Sequence, residues 1–570
     1  MYRVEDIDFQ QSPKSRFPLK EGHEISYAEY YEKKYNRKLK YPDQPLLIHM
    51  KRKDGNVIHL VPELCVLTGQ SPEMIQNFQL QKDLASIIKP NPHERLIESQ
   101  KLLEFLQKNE QTRSLINKWN LRISIDPLKI EAEKINAGNI LMGKDNKFPL
   151  ENTPGFDQRI QTQMLEQPVI SKIGIFVSKR DVEACQAFVD TLRKCVETFN
   201  YPMAQPKEFI IEGRSFGDWE YSFKKYLDPS VQAVILLLPG AKKKSPFYDQ
   251  CKHYLLTQCP IPSQVVLIPT ITAGKNLRSI VNKILIQLCA KVGGTPWSIV
   301  NFPLSEKPTM IVGIDVFHQA PLKKEYLLSY CGTMNKYFSR YWSTVSLHQS
   351  YEEVSIGVQE AVRNSIIDFH ASNRGVFPAR IIVYRDGIAD SQKKILKEIE
   401  VHGILRGFED LFKEHGMTTK PELIFVCVNK KISAKFFSGD SLQKGNVSNP
   451  DPGTVVSEGI TSGNDFYLIS QKAQHGSVTP THYSLIGYYH TINGEYVEIG
   501  NGMHEETFKK LQMLTYKLCF MYYNWSGSIK VPAPVQYAQK LSTLIGERWK
   551  PNNPMIPDKA FEKYKSLYFI

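Results

Sequence analysis

The chain has 570 residues, 42% of them hydrophobic and 23% charged, and 72 Lys+Arg against 59 Asp+Glu give a net charge of +13. At roughly 150 residues per domain this is three or four domains of ordinary soluble composition, and the basic excess favours a polyanionic partner. No apolar run reaches the about 18 residues of a membrane span, and the N-terminal MYRVEDIDFQQSPKSRFPLK has no apolar core of a secretory signal, so neither a membrane nor a secreted protein is expected.

Residues 1–75 are basic and aromatic-rich and read as short strands around one helix, Tyr27 to Lys34, with a turn at Lys53-Asp54-Gly55-Asn56. Residues 76–165 carry longer helical patterns, such as Ile97 to Gln107, and then an Asn/Gly/Pro-rich stretch near 137–158 that reads as a linker. From Ser171 strand and helix alternate. SKIGIFVSK is a short buried strand. The following helix puts Val182, Cys185, Phe188, Val189, Leu192 and Val196 on one face. VQAVILLLPG and SQVVLIPT are further strands, with helices FYDQCKHYLL and LRSIVNKILIQLCAKVGG after them. Such alternation predicts a parallel α/β sheet over 166–300.

A second α/β region, 301–570, opens with PTMIVGIDVFH and continues with ARIIVYRDG, each a buried strand ending in an aspartate. The helix between them has Val354, Val358, Ala361, Val362 and Phe369 on its apolar side, and 449–463 reads as a loop. The nine cysteines are scattered without a CxxC pair, which argues against a disulfide framework or zinc site and for a reducing compartment, cytoplasmic or nuclear.

The two strand ends, Asp315 and Asp386, are candidate functional residues, because open α/β sheets collect ligands at the carboxyl ends of their strands. If the strands are neighbours, the carboxylates converge, and a cation between them relieves the repulsion. Carboxylate oxygens suit Mg²⁺. The residues alone equally allow turn formers or helix caps. Tyr248 and Lys252 share a helix face, with Gln264 and Lys291 further along. An aromatic ring, two cations and an amide could hold a terminal nucleotide, or be ordinary helix surface.

The stretches IVGIDVFH, ARIIVYRDGIADSQ, GSVTPTHYSLI and YKLCFMYYNWSGSIKVPAPVQYAQKL resemble the PIWI domain of the Piwi clade of Argonautes. The resemblance implies an RNase H-like fold and an Asp-Glu-Asp-His metal tetrad, mapped onto Asp315, Glu353, Asp386 and His482. YEEVSIGVQEAV also offers Glu352, but the register of Gly357 and the apolar positions after it favours Glu353. Mg²⁺ or Mn²⁺ is the implied cofactor, and cleavage would leave a 3′-OH and a 5′-phosphate. FYDQCKHYL, CPIPSQVV and IQLCAKVGG resemble the Rossmann-like MID domain, which holds the guide's 5′ phosphate; Tyr248, Lys252, Gln264 and Lys291 match its residues. Gln287, where the other Argonaute clade has Lys, resembles the Piwi clade, in which a divalent ion and the last residue's carboxylate, here Ile570, assist.

MYRVEDIDF, SYAEYYEKKYN and VPELCVLTGQ resemble the second half of a PAZ domain, with Tyr30 and Tyr31 in the segment that receives a guide's 3′ end or, equally, in core packing. The resemblance therefore implies an α/β multidomain chain: partial PAZ (1–75), helical linker (76–165), MID (166–300) and PIWI (301–570), beginning within PAZ and lacking the preceding segments. It implies a monomer that binds a small, piRNA-like guide RNA and complementary target RNA, with silencing cofactor proteins as possible partners. Two other functions stay open: a guide-loaded scaffold that does not cut, and a guide-independent RNase H-like nuclease.

Overall fold

The computed structural model describes the chain except residues 1, 3, 5, 20–21, 51–56, 67, 71–73, 76, 151–154, 214, 241–245, 274–275, 318–324, 350, 418, 440–446, 500–502, 549–555 and 562–564, with backbone alone at 50, 86 and 351–353. The Lys53–Asn56 turn lies outside the described residues. The chain divides into two compact units, Met1–Ile88 and Lys89–Ile570.

The first unit takes in the helix Phe78–Ile88, beyond the expected boundary at 75. Its three-stranded antiparallel sheet pairs Leu46–Met50 with both Asp6–Asp8 and Val57–Leu60. The helix Tyr27–Tyr35 starts where Ser26 accepts from the Glu29 amide while the Glu29 carboxylate accepts from the Ser26 amide. It ends at Asn36 in the left-handed conformation.

In the second unit, four parallel strands form the first sheet: β1 (Ile173–Ser178), β2 (Lys207–Ile211), β3 (Ala233–Leu238) and β4 (Ser263–Leu267), in the order β2-β1-β3-β4. β1 and β3 are buried along their whole length, as uninterrupted apolar runs require. The helices are α1 (Val182–Thr198), α2 (Phe216–Tyr226), α3 (Pro246–Thr257) and α4 (Leu277–Lys291). β2 and α2 were not legible in the sequence: KEFII is an edge strand whose first four residues all keep some exposure. The expected linker also carries structure, since Asn139–Leu141 and Lys147–Pro149 form a small sheet with Ser298–Ile299.

The larger sheet is built on β5 (Thr309–Phe317), β6 (Tyr326–Thr333), β7 (Tyr341–His348), β8 (Arg380–Asp386), β9 (Glu422–Asn429), β10 (Thr454–Val456), β11 (Asp465–Ile469) and β12 (Thr481–Ile492). Its order is β7-β6-β5-β8-β9-β12-β11-β10, closed by Glu133–Lys134. β5, β6 and β7 are antiparallel neighbours, whereas β8 and β9 lie parallel to β5. Counted from β5 this is the 3-2-1-4-5 order of an RNase H-like sheet. One face is covered by α5 (Tyr351–Ser372) and α6 (His402–His415), the other by α7 (Glu505–Leu518) and α8 (Ala533–Gly546). β10 lies within the stretch read as a loop.

Candidate functional site

Two clusters of buried charge stand apart from the apolar cores. The first lies where β5 and β8 run side by side. Ile314 is opposite Arg385, so the next residues of each strand, Asp315 and Asp386, are neighbours. The two-residue period that puts Ile382 and Tyr384 into the core under α7 and α8 puts Asp386 on the same face. Asp386 is only 5% exposed; Lys430 donates to its Oδ2 at 2.5 Å, and its buried Oδ1 has no hydrogen-bond partner. Ser542 of α8 donates to Asp315 Oδ2. Burial, and then the neighbouring charge of Asp386, raise the Asp315 carboxyl above the usual carboxylate range.

α8 reaches the carboxylates because β5 carries glycine beneath its first turn. A Cβ at Gly313 would stand 2.2 Å from the carbonyl carbon and oxygen of Pro534. With that approach open, α8 sets Ser542 over Asp315 and Gln539 against Lys430, whose Nζ also donates to Gln539 Oε1 at 3.1 Å. Asp315, Asp386 and the Gln539 carbonyl make an all-oxygen set of the kind hard divalent ions take, with water and phosphate completing the shell. The orphaned Oδ1 of Asp386 gives such an ion an open lone pair. The residues fit Mg²⁺ or Mn²⁺.

His482, the fourth residue of the expected tetrad, is placed apart from this pair. The alternation along β12 turns Tyr483 into the core beneath α7 and α8, so His482 points to the opposite side of the sheet from Asp386. Its Nε2 is 2.6 Å from Asp465 Oδ2, and its ring stacks on Tyr467 at 4.4 Å. Burial works against ionisation of Asp465, yet hydrogen bonds from His482 and Ser462 hold its carboxyl at about 2. Glu352 and Glu353 lie in the first turn of α5, and their side chains are outside the description. Among the described residues no three His, Cys, Asp or Glu side chains are grouped to hold a metal.

A row of cations beside the carboxylates was not singled out in the sequence. Lys530 donates to the Lys430 carbonyl at 2.8 Å, Lys435 donates to Thr479, and Arg95 donates to Ser477 at 3.1 Å. Burial and then the charges of Lys435 and Lys430 push Lys530 down; burial and then Arg95 do the same to Lys435. These cations are crowded, and a polyanion would relieve them. One arginine and three lysines, at positions 95, 430, 435 and 530, give no local signal of this row.

The second cluster sits between α3, β4 and α4. Lys252 Nζ donates to Ser263 O at 3.0 Å and Ser263 Oγ at 2.8 Å, and Lys291 Nζ donates to the same carbonyl at 2.8 Å. They are 4% and 2% exposed, and no ion pair joins either to a described carboxylate. Burial, then Arg548, pushes Lys252 down to about 8; burial, then Lys252, pushes Lys291 down further. Gln264 donates to Gln287 Oε1 at 3.1 Å, and its own buried Oε1 is unpartnered. The Arg548 guanidinium lies 5.2 Å over the Tyr248 ring while its Nε donates to Asp249 at 2.6 Å. Arg548 follows α8, about 300 residues from Tyr248, so only the fold brings it here. The C-terminal residue is pinned nearby: Leu567 N donates to Ala290 O and Ile570 N to Leu567 O, both at 3.2 Å. Two buried cations sharing one neutral carbonyl form a site for an anion.

In the first unit Tyr30 and Tyr31 belong to a half-buried aromatic group. Phe17 meets Tyr30 edge-on at 5.5 Å, Tyr30 meets Tyr31 at 5.6 Å, and Lys34 donates to the Tyr30 hydroxyl at 2.8 Å.

The Piwi domain family matches residues 233–550 and the PAZ domain family residues 1–89. Piwi-like protein 1 of Gallus gallus is 33% identical over 558 residues, covering 96% of this chain and 61% of that protein. Protein piwi of Drosophila melanogaster is 31% identical over 583 residues, covering 100% and 64%. The chain thus spans less than two thirds of the length of these relatives. Among solved structures, Drosophila Piwi superposes with a TM-score of 0.75 at 29% identity, covering 100% of this chain and 72% of that one. Kluyveromyces polysporus Argonaute with a guide RNA superposes at 0.70 and 18% identity, covering 95% and 64%, a likeness of fold.

Proposed function

The chain belongs to the Piwi family, and from that premise we propose that it binds a small guide RNA by its 5′ phosphate and silences complementary RNA through base pairing. The observation that carries this reading is the pair of buried lysines, Lys252 and Lys291, sharing the Ser263 carbonyl without a carboxylate partner among the described residues. A terminal phosphate supplies the missing charge, and Tyr248, backed by Arg548, offers its ring to the first base. The row Lys430, Lys435 and Lys530 extends the positive surface along which a backbone can run. A guide-independent nuclease has no use for a terminal-phosphate pocket, so the Lys252/Lys291 pair favours the guided reading. We propose a cytoplasmic or nuclear residence, because the scattered cysteines argue for a reducing compartment. Sequencing the RNA that co-purifies tests the proposal: a population of short RNAs of narrow length with 5′ phosphates supports it, and bulk fragments without a common end overturn it.

Cleavage is a second reading, favoured by the buried Asp315/Asp386 pair with its open Oδ1. A bound divalent ion would polarise a phosphodiester and lower the cost of the attacking and leaving oxygens. The chain's own part is to hold Asp315 near the end of β5 beside Asp386 at the end of β8, orient Asp315 through Ser542, and present Gln539 from above. Against it, and for a guide-loaded scaffold, stands the diversion of His482 to Asp465 on the other side of the sheet. Incubation of the guide-loaded protein with matched RNA and Mn²⁺ decides between them. Products ending in 3′-OH and 5′-phosphate support cutting, and intact target supports the scaffold.

A further inference from the structure

Lys430 touches both the carboxylate pair and the cationic row. Its ammonium lies between Asp386 Oδ2 at 2.5 Å and Gln539 Oε1 at 3.1 Å, and its carbonyl accepts from Lys530 at 2.8 Å. Asp386 and Gln539 are the two oxygen donors that would face an incoming divalent ion together with Asp315. The ammonium occupies that place now, and it satisfies only one of the two Asp386 oxygens; the other is buried and unpaired. The Lys430 side chain is 22% exposed against 4% for that of Asp386, so the ammonium sits at the mouth of the site and the carboxylate beneath it.

We propose that Lys430 is a resident counter-cation that competes with the divalent ion for Asp386 and gives the carboxylate up when an RNA phosphate takes its ammonium. Two carboxylates held side by side, one of them buried, need a cation or a shared proton to offset their repulsion. A lysine at the mouth meets the need in the RNA-free protein and keeps metal affinity low. The row formed by Lys435, Lys530 and Arg95 draws a phosphate backbone to the same spot. A phosphate oxygen near Lys430 offers the ammonium a second anion and weakens its hold on Asp386. RNA binding and metal binding are then coupled with positive sign, as linkage requires when one group separates both ligands. The proposal rests on the reading of Asp315 and Asp386 as a metal site, and it goes beyond that reading by assigning the lysine.

The test is Mn²⁺ binding to the full chain, followed by calorimetry or by the electron paramagnetic resonance of the free ion, with and without 5′-phosphorylated RNA. For the RNA-free protein, Lys430→Met is expected to bind Mn²⁺ about ten-fold more tightly than the unaltered chain. Lys430→Arg, which keeps the charge, is expected to match the unaltered chain. RNA is expected to tighten Mn²⁺ binding about five-fold or more in the unaltered chain and to add little in Lys430→Met. Asp386→Asn identifies the ion's site by losing it. Equal or weaker Mn²⁺ affinity in Lys430→Met, with Asp386→Asn still losing the ion, overturns the role of Lys430 and leaves the metal site standing. Mn²⁺ binding that is indifferent to Asp386→Asn overturns both. A Lys430→Met protein that fails to fold is replaced by Lys430→Gln, whose amide keeps the hydrogen bonds without the charge. If neither differs from the unaltered chain, the competition does not exist.

Discussion

The two charged clusters of the second unit are opposites in sign and in how the fold deals with them. Around Ser263, two buried lysines face a neutral carbonyl, and both are driven toward losing their protons. Around Asp386, two carboxylates are met by a lysine, a serine and a glutamine of the chain itself. The first cluster is left short of an anion; the second already holds a cation. On the proposed function, a protein loaded once with a guide and many times with targets has reason to differ in this way: the anchor would stay poised for a ligand that remains, and the carboxylate site would be kept quiet until its ligand arrives.

The largest expected effect breaks the comparison at the carboxylates. Asp386→Asn should lower guided cleavage by about a hundred-fold or more while guide affinity changes less than about two-fold, because the ligand lost lies outside the anchor. Single-turnover assays and guide titration on the same preparation check both halves. Next, Lys291→Met should weaken a 5′-phosphorylated RNA roughly ten- to a hundred-fold, since a charge-assisted contact is worth about 1.5–3 kcal/mol. The 5′-hydroxyl RNA should bind as before, and anisotropy titrations of the two RNAs measure the ratio.

The pH dependence of the anchor sharpens the contrast. Lys252 is depressed from 10.5 to about 8 when the pocket is empty, and a bound phosphate favours its charged form. The Lys252 share of the discrimination for the 5′ phosphate should therefore fall as pH rises through about 8. The RNA-free fold binds fewer protons here than the unfolded chain between about 8 and 10.5, so its stability gains from this lysine as pH rises through that window. Thermal melts and binding curves across pH 7–10 should move in opposite directions. The smallest effect is on stability: Gly313→Ala forces a methyl against the Pro534 carbonyl and should cost about 1–3 kcal/mol. Melting temperature should fall, and cleavage should fall with it because α8 is pushed off Asp315.

What the sequence disclosed followed from local chemistry. Apolar runs ending in aspartate announced β5 and β8, and strand–helix alternation announced their company; that they are parallel neighbours is what the sheet adds. Tyr248, Lys252, Gln264 and Lys291 were legible through the family resemblance, and the fold gathers them on α3, β4 and α4. At His482 the motif names the residue but not the face of the strand it takes, and Tyr483 takes the one beside Asp386. Gln539, Ser542 and Arg548 gave no sign of their role. All three act across 109 residues or more, and nothing in a polar helix position reveals which strand lies beneath it. β6 and β7 were not legible for a different reason: in YLLSYCGT and YWSTVSLH, Ser, Thr and Gly interrupt the apolar runs, so neither a period of two nor a continuous apolar stretch stands out.

One helix touches both clusters. α8 lays Gln539 and Ser542 on the carboxylates, and two residues past its end Arg548 caps the aromatic ring of the anchor. Nine residues separate Gln539 from Arg548, about 13 Å of rise if the winding is helical. Such a rod is a ruler cut from the chain itself. On the proposed function, the interval between where a strand is gripped and where it is read is then fixed by the number of residues from Gln539 to Arg548, and inserting a turn there would change that register without altering a single residue at either end.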